Sequence, residues 1–268
     1  MRTGISLTVT PAIRRHLKAV AANRNSPQKH VWRAQIVLLS AAGVGTNEML
    51  GGLRFKNPQS RTVWLTESQG EDVRDHATFH LYYAIALAQA LQTSTAMRQK
   101  DIIGEWIPIG RPELSTIINA DGDMKWVRGV TREEIDKDMI LTHQTSKRDQ
   151  VLSFDLKHCP AVEEEWFSAP PSGPLIIDPE SGLPYEAWKF RRIWRRMATA
   201  AGVPKNVWNM DTRAGRITER FEHGAALEDI RQLAGHERLE TTRRNCRNVR
   251  GAITRALRKK PSDDPEES

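Results

Sequence analysis

The sequence predicts a mainly α protein with a small antiparallel β-sheet, an α+β fold. Three observations carry this. Glycines at 202, 224 and 235 close successive helical stretches. HATFHLYYAIALAQALQTS (76–94) is apolar on most faces and reads as one buried helix. MILTHQTSKRDQVLSFDL (139–156) sets two runs of strand formers around a polar turn, a hairpin pattern.

Taken in order, Thr10-Pro11 and Ser26-Pro27 each put a capping side chain before a proline at the first helical position, where a missing N–H costs nothing. Helices follow at about 11–22 and 27–42. Trp32, Ile36, Leu39 and Gly43 share a stripe on the second, and AAGVGT (41–46) stops it. Thr46 is placed to cap a third helix, which Gly51-Gly52 interrupts. Residues 1–50 form a helical segment that begins like a helix-turn-helix, and 51–75, mixing glycine, proline and charge, read as a junction. Beyond the hairpin, helices are expected at about 161–167, 185–201, 213–223, 226–234 and 237–256. An acidic tail, 257–268, is expected to be disordered.

With 39% hydrophobic residues over 268 positions, the chain can build a core. Its net charge is +7, and four of the acids fall in the last eight residues, PSDDPEES, so the body is more basic still. Such a body favours a polyanionic partner. Cys159 and Cys246 stand far apart with no CxxC spacing, which argues against structural zinc and fits reduced thiols in the cytoplasm. LYYAIALAQAL (81–91) is too short to span a bilayer, and no signal-peptide apolar region opens the sequence, so no membrane partner is expected.

RHLKAVAANRNSPQKHVWRAQIVLLSAAGVGTNEML (15–50) resembles the N-terminal helix-turn-helix region of mariner-like insertion-sequence transposases, with SRTVW (60–64) as a weak echo of their recognition helix. Their DDE catalytic domain is missing. A helical pair that merely packs on the next domain is the plain alternative.

AGVPKNVWNMDTRAGRITERFEHGAALEDIRQLAGHERLETTRR (201–244), with TAMRQKDI (95–102) and the hairpin turn before it, resembles the catalytic domain of the tyrosine recombinases, the phage-integrase family, over residues 76–256. The resemblance implies DNA integration and recombination within a mobile genetic element, double-stranded DNA as partner, homo-oligomers on DNA, and no cofactor or metal. It also assigns roles. Arg98 and Arg213 would clamp the phosphate, Lys147 would protonate the leaving 5′ oxygen, and His236 would add a hydrogen bond or help move a proton. Chemistry explains the choice: a phosphorane gathers negative charge on its non-bridging oxygens, and planar, permanently charged guanidinium groups meet it with paired hydrogen bonds.

Taken singly, each residue has an ordinary reading. Arg98 could pair with Asp101, Arg213 with Asp211 or Glu219; Lys147 could be a solvated turn lysine and His236 a helix-start residue. Two positions depart from the family. Met210 stands where many members carry a histidine. Asn245 stands nine residues after His236, where the nucleophilic tyrosine belongs, and Tyr82, Tyr83 and Tyr185 all lie upstream of Arg213. An asparagine amide nitrogen is not nucleophilic, and Cys246 is turned about 100° from that position. The expectation is a DNA-binding, cleavage-deficient scaffold; the alternative is a non-catalytic regulator or fusion remnant acting through its N-terminal helices. DGD (121–123) reads as a loop, Trp188, Trp194 and Trp208 as packing residues, and KFRRIWRRM (189–197) as a basic helix face or a DNA-backbone contact.

Overall fold

A computed structural model describes residues 8–23, 28–43 and 61–247. The chain divides into two compact units, Met1–Arg61 and Thr62–Ser268.

In the first unit, α1 (Pro11–Ala22) starts where expected: the Thr10 hydroxyl accepts from the Ile13 N–H, with proline at the first helical position. It packs on α2 (Gln28–Ala41), which stops at Gly43 with φ 74°. The stripe read from the sequence is only partly covered. Among the described side chains of α2, Ala34 is the buried one, while Ile36 is exposed. The third helix expected after Thr46 falls outside the described residues. Residues 61–66 belong to no helix or strand, so Arg61–Trp64 contain no recognition helix.

The second unit is organised around α4 (Tyr83–Thr95), whose residues Ile85 to Gln92 are all buried. Four alanines in this helix let neighbours approach closely, and α3 (Glu67–Phe79), α6 (Pro160–Glu165), α7 (Ala187–Ala200) and α8 (Thr212–Glu222) all pack on it. Two further short helices, α9 (Leu227–Leu233) and α10 (Leu239–Asn245), pack on α8.

Two expectations are corrected here. The apolar stretch from 76 is not one helix: the chain turns at Leu81, φ 62°, between α3 and α4. The expected junction ran to Asp75, yet its last nine residues are helical. Thr66 caps α3 reciprocally with Gln69, and Gly70 sits where a Cβ would lie 3.2 Å from Gln89. The polar composition of ESQGEDVRD hid a helix that has both a local start, the Thr66–Gln69 capping box, and a packing role for Gly70.

Three two-stranded antiparallel sheets complete the described unit. β3 (Ile140–Gln144) pairs with β4 (Val151–Asp155) as the hairpin expected from the sequence, with Leu141 and His143 turned inward and Gln144 opposite Val151. The sequence did not announce β1 (Glu105–Pro108) and β2 (Met124–Val127), or the still shorter β5 (Ile177–Asp178) and β6 (Leu183–Pro184). DGD is indeed a turn, with Gly122 at φ 74° and Asn119 bonded to Asp123.

Candidate active site

The end of α4 delivers the first arginine. Thr95 donates its hydroxyl to the Leu91 carbonyl (2.6 Å) and accepts from the Met97 N–H (3.2 Å), holding buried Ala96 in the left-handed region at φ 55°. A non-glycine residue there is strained by about 1 kcal/mol. The turn sends Arg98 out at the start of α5 (Gln99–Ile103). Arg213, near the start of α8, donates to the Ala96 carbonyl (2.6 Å) and to the Ala234 carbonyl, joining this turn to the end of α9. The pairings the sequence offered for Arg213 are thereby corrected: its hydrogen bonds go to main-chain carbonyls, while Asp211 accepts from Arg247 and Glu219 from the Glu67 N–H. Burial, aided by the charge of Arg98 and opposed by Asp101, pushes Arg213 down to about 9, so it remains cationic at neutral pH.

Asp101 is the part the sequence undervalued. The expected partner of Arg98, it lies 3.7 Å from that guanidinium, but it is 1% exposed rather than a surface acid. Its other oxygen accepts from the Ser146 N–H at 2.8 Å. A single buried carboxylate thus links the Arg98 helix to the turn of the β3–β4 hairpin. On the far side of that turn, Arg148 pairs with Glu237. Lys147 stands exposed between these two fastenings.

Gly235, at φ 58°, ends α9 and reverses the chain into His236. His236 is 5% exposed, and its Nδ1 lies 3.0 Å from the hydroxyl of fully buried Thr242 on α10. It does not start a helix, since α10 begins three residues later. Burial, followed by the charges of Arg213, Arg98, Arg148 and Lys147, pushes His236 down to about 4. The four basic residues singled out in the sequence therefore share one neighbourhood, with an uncharged imidazole among the cations. Asn245 is tied to that neighbourhood through α10: its carbonyl accepts from Thr218 (3.1 Å), and its amide donates to the Thr241 carbonyl (2.8 Å).

The His236 shift has a measurable sign. An unfolded histidine takes up a proton below about 6.5, the folded one only below about 4. The unfolded chain binds more protons between these values, so the stabilisation is complete above pH 6.5 and is lost as pH falls towards 4, by about 3 kcal/mol at most. Melting temperatures across that range should fall less steeply for His236→Gln than for the natural sequence; parallel profiles would contradict a neutral buried His236.

No family model matches the sequence, and no curated protein sequence matches it. Solved structures do. A lambda integrase dimer bound to a COC′ core site is 13% identical with a TM-score of 0.58, over 93% of this chain and 84% of that one. XerA recombinase is 14% identical with a TM-score of 0.54, over 93% and 82%. The Tn1549 transposon integrase in complex with circular intermediate DNA is 12% identical with a TM-score of 0.55, over 96% and 86%. This chain has the integrase fold.

Within the integrase fold, the tryptophans correct the sequence reading. Trp194 is a core residue, bonded to Gln89 at 2.8 Å, but Trp188 and Trp208 are each 53% exposed. The basic stretch on α7 is amphipathic as expected, burying Phe190, Ile193, Trp194 and Met197 while Arg191, Arg192 and Arg196 face outward. Several of its cations are already engaged: Arg192 lies over Trp188, Arg196 over Tyr82, and Lys189 bridges Asp178 and Glu180. Among the described residues, no group of three or more His, Cys, Asp or Glu could hold a metal, and no helix is long and apolar enough to cross a membrane.

Proposed function

We propose that this protein is a tyrosine-recombinase-type DNA-binding protein that grips the phosphodiester backbone of double-stranded DNA without cutting it. The observation that carries this reading is the gathering of Arg98, Lys147 and Arg213 around His236, a buried imidazole kept neutral by burial and by their charges. Arg98 and Arg213 are the phosphate clamp, Lys147 on the hairpin turn reaches the 5′ oxygen, and His236 contributes a hydrogen bond.

The covalent step is missing because Asn245 has no nucleophilic atom. Cys246 does not replace it. That side chain packs against the small cluster of Ile217, Ile230 and Ala234. Assembly of several copies on DNA is part of the proposal, supported by the lambda integrase dimer on its core site. So is a place in the integration and recombination of mobile DNA.

A second contact is proposed for the transposase-like N-terminal segment. α1 carries Arg14, Arg15 and Lys18, all exposed, and no acid. Replacing these three by alanine should weaken duplex binding and lower its salt dependence by about three released counterions; unchanged binding would restrict DNA contact to the second unit. The main reading is tested with supercoiled plasmid. Binding should weaken steeply between 50 and about 200 mM salt, and denaturation should leave no protein attached to DNA. A covalent adduct would overturn the cleavage-deficient assignment.

A further inference from the structure

Beside the clamp lies a cavity of about 360 Å³ whose walls include Gln99, Trp194, Arg195, Trp208, Asn209 and Met210. Gln99 directly follows Arg98, and Met210 lies three residues before Arg213. The cavity gathers unusual polar groups. Asn209 is 3% exposed, yet neither its amide oxygen nor its amide nitrogen has a partner. Gln99 Nε2 and Arg195 Nε and Nη2 are likewise buried without partners. Arg195 is held in place by bonds from Nη1 to the Pro204 and Val207 carbonyls, and it lies over the Trp194 ring.

Unpartnered buried polar atoms destabilise the folded protein, because their lost hydration is not replaced. A ligand that pairs them gains hydrogen bonds whose desolvation has already been borne by the folded protein. The unmet groups are donor-rich: two adjacent N–H edges of a guanidinium and two amide NH2 groups, with one amide oxygen as acceptor. Their setting is an indole and a thioether, surfaces suited to a flat ring.

We propose that this cavity takes one unstacked guanine from the bound DNA, an inference that rests on the DNA-binding reading above. Guanine presents two adjacent acceptors, O6 and N7, the pair that a guanidinium edge meets with parallel hydrogen bonds. Its N1–H supplies a donor for the Asn209 oxygen. Adenine offers a donor where O6 stands and leaves one Arg195 N–H unmet. Trp208 and Met210, 53% and 56% exposed, are the accessible walls; they move aside to admit the ring, and Trp208 stacks on it.

The test uses the full-length protein and three labelled octamers of abasic deoxyribose phosphate: one wholly abasic, one with a single central guanine and one with a single central adenine. The guanine octamer should bind about tenfold tighter than the abasic one and tighter than the adenine one. Trp208→Ala should bring the guanine octamer to the abasic level. Asn209→Leu, which replaces an unpartnered buried amide by an apolar group of similar size, should keep or raise the melting temperature and narrow the distinction between guanine and adenine, leaving the part that Arg195 supplies. Equal binding of the guanine and abasic octamers, no preference for guanine over adenine, or a guanine advantage that survives both substitutions undiminished would overturn the proposal. Failure of all three octamers to bind would also overturn it, and duplex binding by the same sample then shows whether the phosphate clamp falls with it.

Discussion

Asn245→Tyr should form a covalent protein–DNA adduct where the natural sequence forms none. The substitution supplies the one atom type the site lacks, a phenolic oxygen at the end of α10. The supports of that position are in place. Thr242 holds His236, one helical turn before residue 245, and the Thr218 hydroxyl fixes the residue 245 carbonyl. Asn245 is half-buried, and its amide bonds only back to its own helix at Thr241, so a ring replacing it breaks no tertiary contact of that amide. On the proposed reading Arg98 and Arg213 meet charge on the phosphorane, where preorganised donors are worth orders of magnitude in rate. Labelled plasmid DNA, run on a denaturing gel after incubation, reads the outcome. A folded Asn245→Tyr protein that binds DNA and forms no adduct would show a binding site without the geometry for transfer.

Gly215→Ala should unfold or severely destabilise the second unit. Gly215 lies on α8 against the segment that leads into α3. A Cβ there would stand 1.8 Å from the Leu65 carbonyl oxygen, far inside contact distance. The obstacle is backbone, and it cannot swing away as a side chain would. Residues on both sides of it are fixed: the Val63 carbonyl accepts from Arg247, and Thr66 caps α3. A cost of about 3 kcal/mol or more is expected, at the upper end of overpacking effects. Gly110→Ala, with open space around it and ordinary backbone angles, should change stability by less than about 0.5 kcal/mol. Urea midpoints for the two variants measure the contrast, and similar midpoints would refute the close approach of α8 to Leu65.

The contrast between legible and hidden parts follows from how local the physics is. Helix starts at Pro11 and stops at Gly43, Gly202, Gly224 and Gly235 were readable because capping and positive φ act within a few residues. The hairpin was readable because its alternation places Leu141 and His143 inward. Helix α3 was missed although its Thr66–Gln69 capping box is as local a signal, because its composition is polar and its glycine serves a contact with Gln89 on another helix. The candidate residues Arg98, Lys147, Arg213 and His236 stood out in the sequence through their order and surroundings, but the contacts around them did not. Asp101 looked like the surface partner of an arginine one turn away; only the fold shows it buried beneath the hairpin turn. Asn209 carried no signal at all, because a missing hydrogen-bond partner is visible only when every neighbour is in place.

The central claim is that Arg98 and Arg213 jointly hold a DNA phosphate. The most direct test is the salt dependence of duplex binding for the natural sequence and for the double substitution Arg98→Gln and Arg213→Gln, after circular dichroism confirms both are folded. The logarithmic slope of affinity against salt should fall by about one in the double variant, because the two guanidiniums share a single phosphate. An unchanged slope and affinity would place the DNA elsewhere on the protein and contradict the clamp.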